Sequence, residues 1–165
     1  MIITSESVFS GHPDKVCDQI SDAILDAILE QDKNARVAVE TAIKGKEVYI
    51  FGEVTTCAKV NYKVIALRIL IDIGYLDDFN VHINLTEQSI DIAIGVNERY
   101  NKEQGAGDQG MMYGYATDET EERLPVPLAY AHKIAKRFKA LRKDKYFHIF
   151  GPDGKCDTNP NSWTK

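Results

Sequence analysis

Residues 35–54 read ARVAVETAIKGKEVYIFGEV, and this stretch indicates the fold more clearly than any other. Its first half, 35–43, is rich in residues that favour strands. Gly45-Lys46 then turns the chain, and a second run rich in valine and isoleucine follows. This pattern predicts a β-hairpin, in which two antiparallel strands are joined by a tight turn.

Segments of helical and strand periodicity flank the hairpin on both sides. Apolar residues recur every three or four positions over 13–30 and over 62–73, so we expect an amphipathic helix in each segment, the second ended by Gly74. Strands are expected over 2–8 and over 81–86. The resulting order, β-α-β-β-α-β, predicts an α+β fold. In it a two-layer unit, complete by about residue 90, packs two helices on one face of a sheet.

The following residues predict the start of a second unit. A loop over 95–110 contains four glycines, and loops of this length are often functional. We expect a strand over 111–116, an acidic turn, a helix over 127–142 and a strand over 146–150. The polar residues 156–165 are expected to form a tail.

Composition places the chain among ordinary globular proteins. It has 165 residues, 44% of them hydrophobic and 27% charged, so disorder is excluded and about one domain is expected. The formal net charge of −5 argues against a general nucleic-acid binder. Three widely spaced cysteines indicate neither a disulfide framework nor a zinc site. Because the chain has neither a signal-peptide pattern nor an apolar run long enough to span a membrane, we expect it in the cytoplasm.

The segment GHPDK at 11–15 places an imidazole, a carboxylate and an ammonium group at a helix start. Helix N-termini attract phosphate because their N–H groups are unpaired and carry partial positive charge. Lys15 adds a cation, Asp14 a ligand for Mg²⁺, and His12 a donor to a developing anion. The alternative is a capped helix whose charged residues are simply solvated.

The loop GAGDQG at 105–110 lets the backbone approach a ligand closely. Asp108 could accept a hydrogen bond from an amine or a ribose hydroxyl, whereas the alternative is a surface turn. Glu40 and Glu53 lie on the hairpin strands. They either occupy the solvent face of the sheet or bind a cation or an ammonium group.

A basic segment, 132–145, carries seven Lys or Arg residues. Such a segment could meet a membrane surface or nucleic acid. More commonly, a helix of this kind packs its apolar stripe and leaves its charges in solvent, and the acidic run before it opposes an extended basic surface. We therefore expect neither a nucleic-acid nor a membrane partner.

Taken in order, the motifs resemble those of one family, the S-adenosylmethionine synthetases (methionine adenosyltransferases). The matching segments are TSESV at 4–8, GHPDK at 11–15, DQISDA at 18–23, GEVTT at 52–56, EQGAGDQG at 103–110 and MYGYAT at 112–117. The resemblance covers about residues 2–155. The family uses the β-α-β-β-α-β unit three times, in intertwined domains.

The resemblance implies a reaction. The methionine sulfur attacks C5′ of ATP and displaces the triphosphate, which is then hydrolysed to diphosphate and phosphate. It also implies Mg²⁺ and K⁺ as cofactors and active sites formed between two subunits of a dimer. The segment 88–98 matches the mobile loop that covers the family's active site.

Site roles follow from the same resemblance, motif by motif. The implied catalytic residues are His12 and Lys15, and the implied ATP contacts are His12, Lys15, Asp108, Asp153 and Lys155. The implied methionine contacts are Glu53, Gln88 and Asp108, with Asp14 as a ligand of Mg²⁺ and Glu40 as a ligand of K⁺.

Three positions depart from the family pattern. Ile90 replaces a proline and Ile94 a glutamine, which should change the mobility and polarity of the loop. Ser10 replaces a glutamate before the GHPDK segment.

Length is the larger departure, because family members are more than twice as long and their other domains complete the site. We expect an N-terminal domain over 1–98, the glycine-rich loop and the beginning of a central domain over 99–155, and a tail without family match over 156–165. The chain thus resembles the N-terminal part of a synthetase, acting with a second copy or a full-length subunit. The alternative is a non-catalytic short relative that binds nucleotide or pairs with a full-length synthetase.

Overall fold

The structure is a computed structural model and describes residues 3–87 and 110–159. Its elements are β1 (Ser5–Val8), α1 (Pro13–Leu29), β2 (Arg36–Lys44), β3 (Glu47–Thr55), α2 (Tyr62–Ile73), β4 (Asn80–Thr86), α3 (Val126–Leu141) and β5 (Lys155–Thr158). A π-helical turn, Arg142–Tyr146, follows α3. The predicted α+β class and the order of elements through β4 are confirmed.

The chain forms two compact units. One, here called the terminal unit, comprises Met1–Lys15, Ile73–Tyr75 and Met112–Lys165. The other, here called the hairpin unit, comprises Val16–Asp72 and Leu76–Met111. Strands β1 and β5 therefore belong to the same unit, although they lie near opposite ends of the chain. The expected domain boundary at residue 98 falls outside the described residues.

The hairpin unit contains a three-stranded sheet in the order β2-β3-β4. Strands β2 and β3 pair antiparallel with Lys44 opposite Glu47, so Gly45-Lys46 forms the two-residue turn that the sequence predicts. Gly45 has a φ of 60°, a conformation that glycine adopts at low cost. Strand β4 pairs parallel with β3, which the helical crossover through α2 allows.

The core of the hairpin unit lies between its two helices and one face of β3. Its fully or almost fully buried residues are Val16, Ile20, Ile24 and Ile28 of α1, Val48 and Ile50 of β3, and Ala66 and Leu70 of α2. Spacing by four residues places the α1 side chains on one face of the helix. A hydrogen bond of 2.9 Å between the hydroxyls of Ser21 and Thr41 joins α1 to β2.

Strand β1 is not part of the hairpin sheet. It pairs antiparallel with β5 in a separate two-stranded sheet, with Ser5 opposite Thr158 and Val8 opposite Lys155. The expectation that the first unit is complete by about residue 90 is therefore wrong. Side-chain periodicity identifies a strand, but the backbone groups of a strand can pair with any other strand. The pattern therefore does not indicate which strand pairs with β1.

Three local expectations for the second half of the chain are also wrong. Residues 156–158 belong to β5 rather than to a tail. Residues 111–116 form no strand, and Tyr146 ends the π-helical turn while 147–150 form turns after it. The amides of Ile149 and Phe150 both donate to the carbonyl oxygen of Tyr146, at 3.0 Å. Aromatic residues raised the strand propensity here, but tertiary packing overrides propensity.

Helix α3 packs an apolar stripe against the strand pair of the terminal unit. Ala129 and Ala131 are buried, and the ring of Phe138 stacks on Phe9 with 4.2 Å between centroids. Lys133 forms an ion pair of 2.9 Å with Glu122 from the acidic turn. The other six basic side chains of the segment are exposed, as the packed-stripe interpretation expects, but Arg142 is buried and Ile134 is 43% exposed. Within the described ranges, no helix is both long and apolar enough to cross a bilayer.

Arg142 is the buried cation of the terminal unit, with 5% of its surface exposed. Its guanidinium donates to the carbonyl oxygens of Phe150 at 2.8 Å, Ile73 at 3.1 Å and Gly74 at 3.4 Å. The ring of Phe147 lies 4.8 Å from the guanidinium carbon. Arg142 therefore satisfies carbonyl groups at the end of α2 that the helix itself leaves unpaired.

We expect Arg142→Ala to lower the free energy of unfolding by about 2–4 kcal/mol, because several buried carbonyls lose a charged donor. Urea unfolding followed by circular dichroism measures the change. Arg137→Ala, at an exposed position of the same helix, is the matched control and should stay within about 0.5 kcal/mol of the wild type. Equal losses of unfolding free energy in Arg142→Ala and Arg137→Ala would contradict the role assigned to Arg142.

Asp32, in the loop after α1, gives an acid-sensitive contribution to stability. Its carboxylate accepts hydrogen bonds from the amide of Cys57 at 2.9 Å and the hydroxyl of Thr56 at 2.8 Å, which lower its pKa to about 2 from 3.8. A lowered pKa stabilises the fold above the unfolded value, and this contribution disappears as the pH falls from about 4 towards 2.

Asp32→Asn should therefore lower the urea midpoint at pH 6, and the difference from the wild type should narrow below pH 4. Unfolding curves at pH 6, 4 and 3 test this. Asp26→Asn, on the exposed side of α1, is the control and should leave the midpoint unchanged. A difference between Asp32→Asn and the wild type that stayed constant across this range would exclude the proposed titration.

Candidate functional site

The GHPDK segment forms the turn that leads from β1 into α1, with Pro13 as the first helical residue. Gly11 is buried, and its amide donates to the carbonyl oxygen of Pro152 at 3.1 Å. The amide of His12 donates to the carbonyl oxygen of Phe9 at 3.0 Å. The turn is therefore fixed by backbone hydrogen bonds on both sides of the glycine.

The second turn of the site, 151–154, lies against the first. The amide of Phe9 donates to the carbonyl oxygen of Gly154 at 2.7 Å. Gly154 has a φ of 152°, and a Cβ atom there would lie 2.8 Å from the ring of Phe9. The β1–β5 pairing thus brings Asp153 and Lys155, predicted as ATP contacts, next to the turn that carries His12 and Lys15.

His12 has a defined hydrogen-bonding role within the first turn. Its Nδ1 accepts from the amide of Asp14 at 3.3 Å, and the Asp14 carboxylate lies 3.8 Å from the same atom. A neutral ring whose Nδ1 accepts carries its proton on Nε2, which is then available as a donor. Asp14 and Lys15 are exposed on the first turn of α1. The arrangement offers a donor, a cation and a helix N-terminus to an anion.

Lys155 pairs with a carboxylate that the sequence analysis did not single out. Its ammonium group lies 3.1 Å from Glu6 Oε2 on the neighbouring strand. The hydrogen bond to Lys155 lowers the pKa of Glu6, and the same bond raises the pKa of Lys155. Both groups are therefore charged at neutral pH, and a phosphate approaching Lys155 meets a cation that already has a partner.

The hairpin unit carries the two other described candidates. Glu40 on β2 is exposed and lies opposite Phe51, and Glu53 on β3 is half-buried and lies opposite Ala38. Directly opposed residues share a face of the sheet, so both carboxylates lie on the face that does not cover the core. Tyr49 and Phe51 on that face are 45% and 42% exposed.

The two predicted metal ligands are single carboxylates. Among residues 3–87 and 110–159, no three His, Cys, Asp or Glu side chains are grouped so that they could hold a metal ion. Asp14 and Glu40 lie in different units, each exposed. One carboxylate with phosphate and water ligands is a common way to bind Mg²⁺, so Asp14 fits that ion in the presence of a nucleotide.

Several predictions fall outside the described residues. Gln88, Asp108 and the segment 88–98 with its substitutions Ile90 and Ile94 all lie there.

The structure adds Tyr75 to the site. Its hydroxyl donates to the carbonyl oxygen of Gly11 at 2.6 Å, from a position just after α2. The only signal for this contact in the sequence is Gly74, which ends the helix and turns the chain.

Comparison with known proteins gives two family matches. The family described as S-adenosylmethionine synthetase, N-terminal domain, matches residues 1–99, and the family described as S-adenosylmethionine synthetase, central domain, matches residues 103–159. The second match includes 156–159, which the sequence analysis assigned to the tail.

Curated relatives carry the same name. The chain is 53% identical to the S-adenosylmethionine synthase of Sorangium cellulosum, an alignment that covers 92% of this chain and 38% of the relative. It is 49% identical to that of Finegoldia magna, covering 94% and 44%, and 46% identical to that of Acholeplasma laidlawii, covering 96% and 44%. The chain thus spans about two fifths of the length of these relatives.

The close approach of the two turns predicts a sharp difference between two glycines. A Cβ atom on Gly11 would lie 2.5 Å from the Pro152 backbone, whereas one on Gly151 meets nothing within 4 Å. Gly11→Ala should therefore lower the free energy of unfolding by about 1–3 kcal/mol, a fall in Tm of about 3–10 °C. Gly151→Ala should leave Tm nearly unchanged. Calorimetry that found the two variants equally stable would show that the turns are not in contact.

Proposed function

The chain belongs to the S-adenosylmethionine synthetase family, and we propose that it supplies the N-terminal part of a methionine adenosyltransferase. The proposed reaction makes S-adenosylmethionine from ATP and L-methionine and releases phosphate and diphosphate. The observation that carries the proposal is the contact between the turn 11–15 and the turn 151–154, which gathers His12, Lys15 and Lys155 in one compact unit.

The chemistry explains why such a cluster is needed. A bond forms between the methionine sulfur and C5′ of ATP, and the bond between C5′ and the triphosphate oxygen breaks. The leaving group carries away the bonding electrons, so negative charge grows on the triphosphate. Fixed donors and cations at that position stabilise the transition state more than the substrate.

In our proposal the terminal unit binds the triphosphate. His12 donates from Nε2 to an oxygen near the breaking bond, because its Nδ1 is occupied by the amide of Asp14. Lys15 neutralises phosphate charge at the start of α1, where the helix dipole adds to its effect. Lys155 binds a second phosphate oxygen after leaving Glu6, and Asp153 lies two residues before it in the turn 151–154.

Mg²⁺ and K⁺ complete the proposed charge balance. Asp14 would hold Mg²⁺ together with phosphate oxygens and water, and Glu40 would hold K⁺. Mg²⁺ supplies further neutralisation of the triphosphate when bound. Because the described part of the chain offers only single carboxylates to either ion, affinity for both should depend on the nucleotide and on further ligands.

Methionine is assigned to other residues. Glu53 would bind its ammonium group through a carboxylate on the open face of the hairpin sheet, with Gln88 and Asp108 as the further contacts that the family motifs indicate. A half-buried carboxylate discriminates well for an ammonium group, since both lose water on binding.

We also propose that the open face of the hairpin sheet is covered by another subunit, either a second copy or a full-length synthetase. Tyr49 and Phe51 stay exposed there, next to Glu40 and Glu53. Exposed aromatic residues surrounded by polar ones are typical of protein interfaces. A non-catalytic relative that binds nucleotide or pairs with a full-length synthetase remains the alternative.

We expect the chain to bind ATP with Mg²⁺ and to lose this binding when the terminal cluster is disrupted. Lys15→Ala should raise Kd at least tenfold, because a charge-assisted contact to phosphate is lost. Isothermal titration calorimetry measures the change, with Lys136→Ala on the exposed side of α3 as the charge-matched control. Equal losses of affinity in both variants would indicate general electrostatic attraction instead of a site.

Activity separates the main proposal from its alternative. The chain is incubated with ATP, methionine, Mg²⁺ and K⁺, and S-adenosylmethionine is detected by mass spectrometry. Product that is formed by the wild type and absent with His12→Ala would establish a working synthetase. Nucleotide binding without product would favour the non-catalytic alternative, and absence of both would remove the proposed site.

A further inference from the structure

We propose that Tyr75 is a positioning residue for His12 and acts through the peptide group between Gly11 and His12. The inference rests on the proposed role of His12 as a donor to the triphosphate. Tyr75 lies within the family match over 1–99 but in none of the short motifs quoted for the resemblance.

The peptide group between Gly11 and His12 is held at both polar atoms. Its oxygen accepts from the Tyr75 hydroxyl at 2.6 Å, and its N–H, which belongs to His12, donates to Phe9 at 3.0 Å. A peptide group is planar, so fixing its oxygen and its nitrogen fixes the orientation of the plane. The Cα atom of His12 lies in that plane, so its position is fixed together with the plane, and this sets where the His12 side chain begins.

Tyr75 reaches Gly11 from an anchored position. Gly74 has a φ of 108°, which turns the chain sharply after α2. The guanidinium of Arg142 holds the carbonyl oxygens of Ile73 and Gly74, and a Cβ atom on Gly74 would lie 2.7 Å from its Nη1 atom. The buried guanidinium of Arg142 therefore fixes the backbone of the two residues directly before Tyr75. This holds the Tyr75 hydroxyl within hydrogen-bonding distance of Gly11.

The loss of the hydroxyl has a local consequence. Without it, the Gly11 oxygen has no donor from Tyr75, and the peptide group can rotate about the flanking bonds because glycine permits many φ and ψ values. The contact between His12 Nδ1 and the Asp14 amide, at 3.3 Å, depends on that orientation.

The test compares Tyr75→Phe with Tyr146→Phe. Tyr146 is a matched control in the terminal unit, since its ring stays against Phe150 when the exposed hydroxyl is removed. Nitrogen NMR of histidine-labelled protein follows the environment of the His12 ring. We expect Tyr75→Phe to shift or broaden the His12 ring signals, to leave the other histidines unchanged and to lower Tm by less than about 5 °C. Tyr146→Phe should change none of these.

Binding of ATP with Mg²⁺ supplies the second measurement. Calorimetry should show a Kd about tenfold higher for Tyr75→Phe than for the wild type, since a displaced donor binds its target poorly. Unchanged His12 signals in Tyr75→Phe would overturn the inference, and so would unfolding of that variant, because the hydroxyl would then support the fold as a whole. If His12 responds but neither protein binds ATP, the positioning role stands and the proposed function fails.

Discussion

The antiparallel pairing of β1 with β5 is the interaction on which the terminal unit depends. It joins Ser5–Val8 to Lys155–Thr158, strands from near the two ends of the described chain. Closing so long a loop costs conformational entropy, so the pairing must be supported by packing. Helix α3 gives that support: the Thr158 hydroxyl lies 2.7 Å from the Pro127 carbonyl oxygen, and Phe138 stacks on Phe9.

The pairing also explains the position of the chemical groups. Each turn of the candidate site directly follows or precedes one of the two strands, so the register of the ladder sets the distance between the turns. Gly11 is required because the Pro152 backbone approaches it more closely than a Cβ atom allows, and Gly154 because it has a positive φ and lies against the ring of Phe9. The backbone geometry of the two turns therefore fixes where the side chains of Lys15 and Lys155 begin. Only the ends of these side chains can move to fit a ligand.

The sequence predicted local structure well and long-range pairing poorly. The hairpin at Gly45-Lys46, both early helices and α3 follow from periodicity and turn chemistry, which act within a few residues. The partner of β1 does not follow from these local features, because the residues of a short strand do not indicate which strand it pairs with. The expected tail over 156–165 is wrong for the same reason, since 156–158 belong to β5. The expected strand over 146–150 is wrong because tertiary packing overrides strand propensity.

The same division holds for the candidate site. Residue types alone left GHPDK open as a phosphate site or as a capped helix with solvated charges, and its role in phosphate binding stays a prediction. The sequence does not indicate the roles of Tyr75 and Arg142, because each donates a hydrogen bond to a backbone carbonyl oxygen far away in sequence. Such contacts depend on the fold and leave no local pattern.

One measurement tests most directly whether the turns 11–15 and 151–154 form a single phosphate-binding surface. Protein labelled with ¹⁵N is titrated with inorganic triphosphate and Mg²⁺, and the backbone amide shifts are followed. We expect saturable shifts in both turns at one shared Kd. Shifts in one turn alone, or only along the basic side of α3, would contradict a common site built by the β1–β5 pairing.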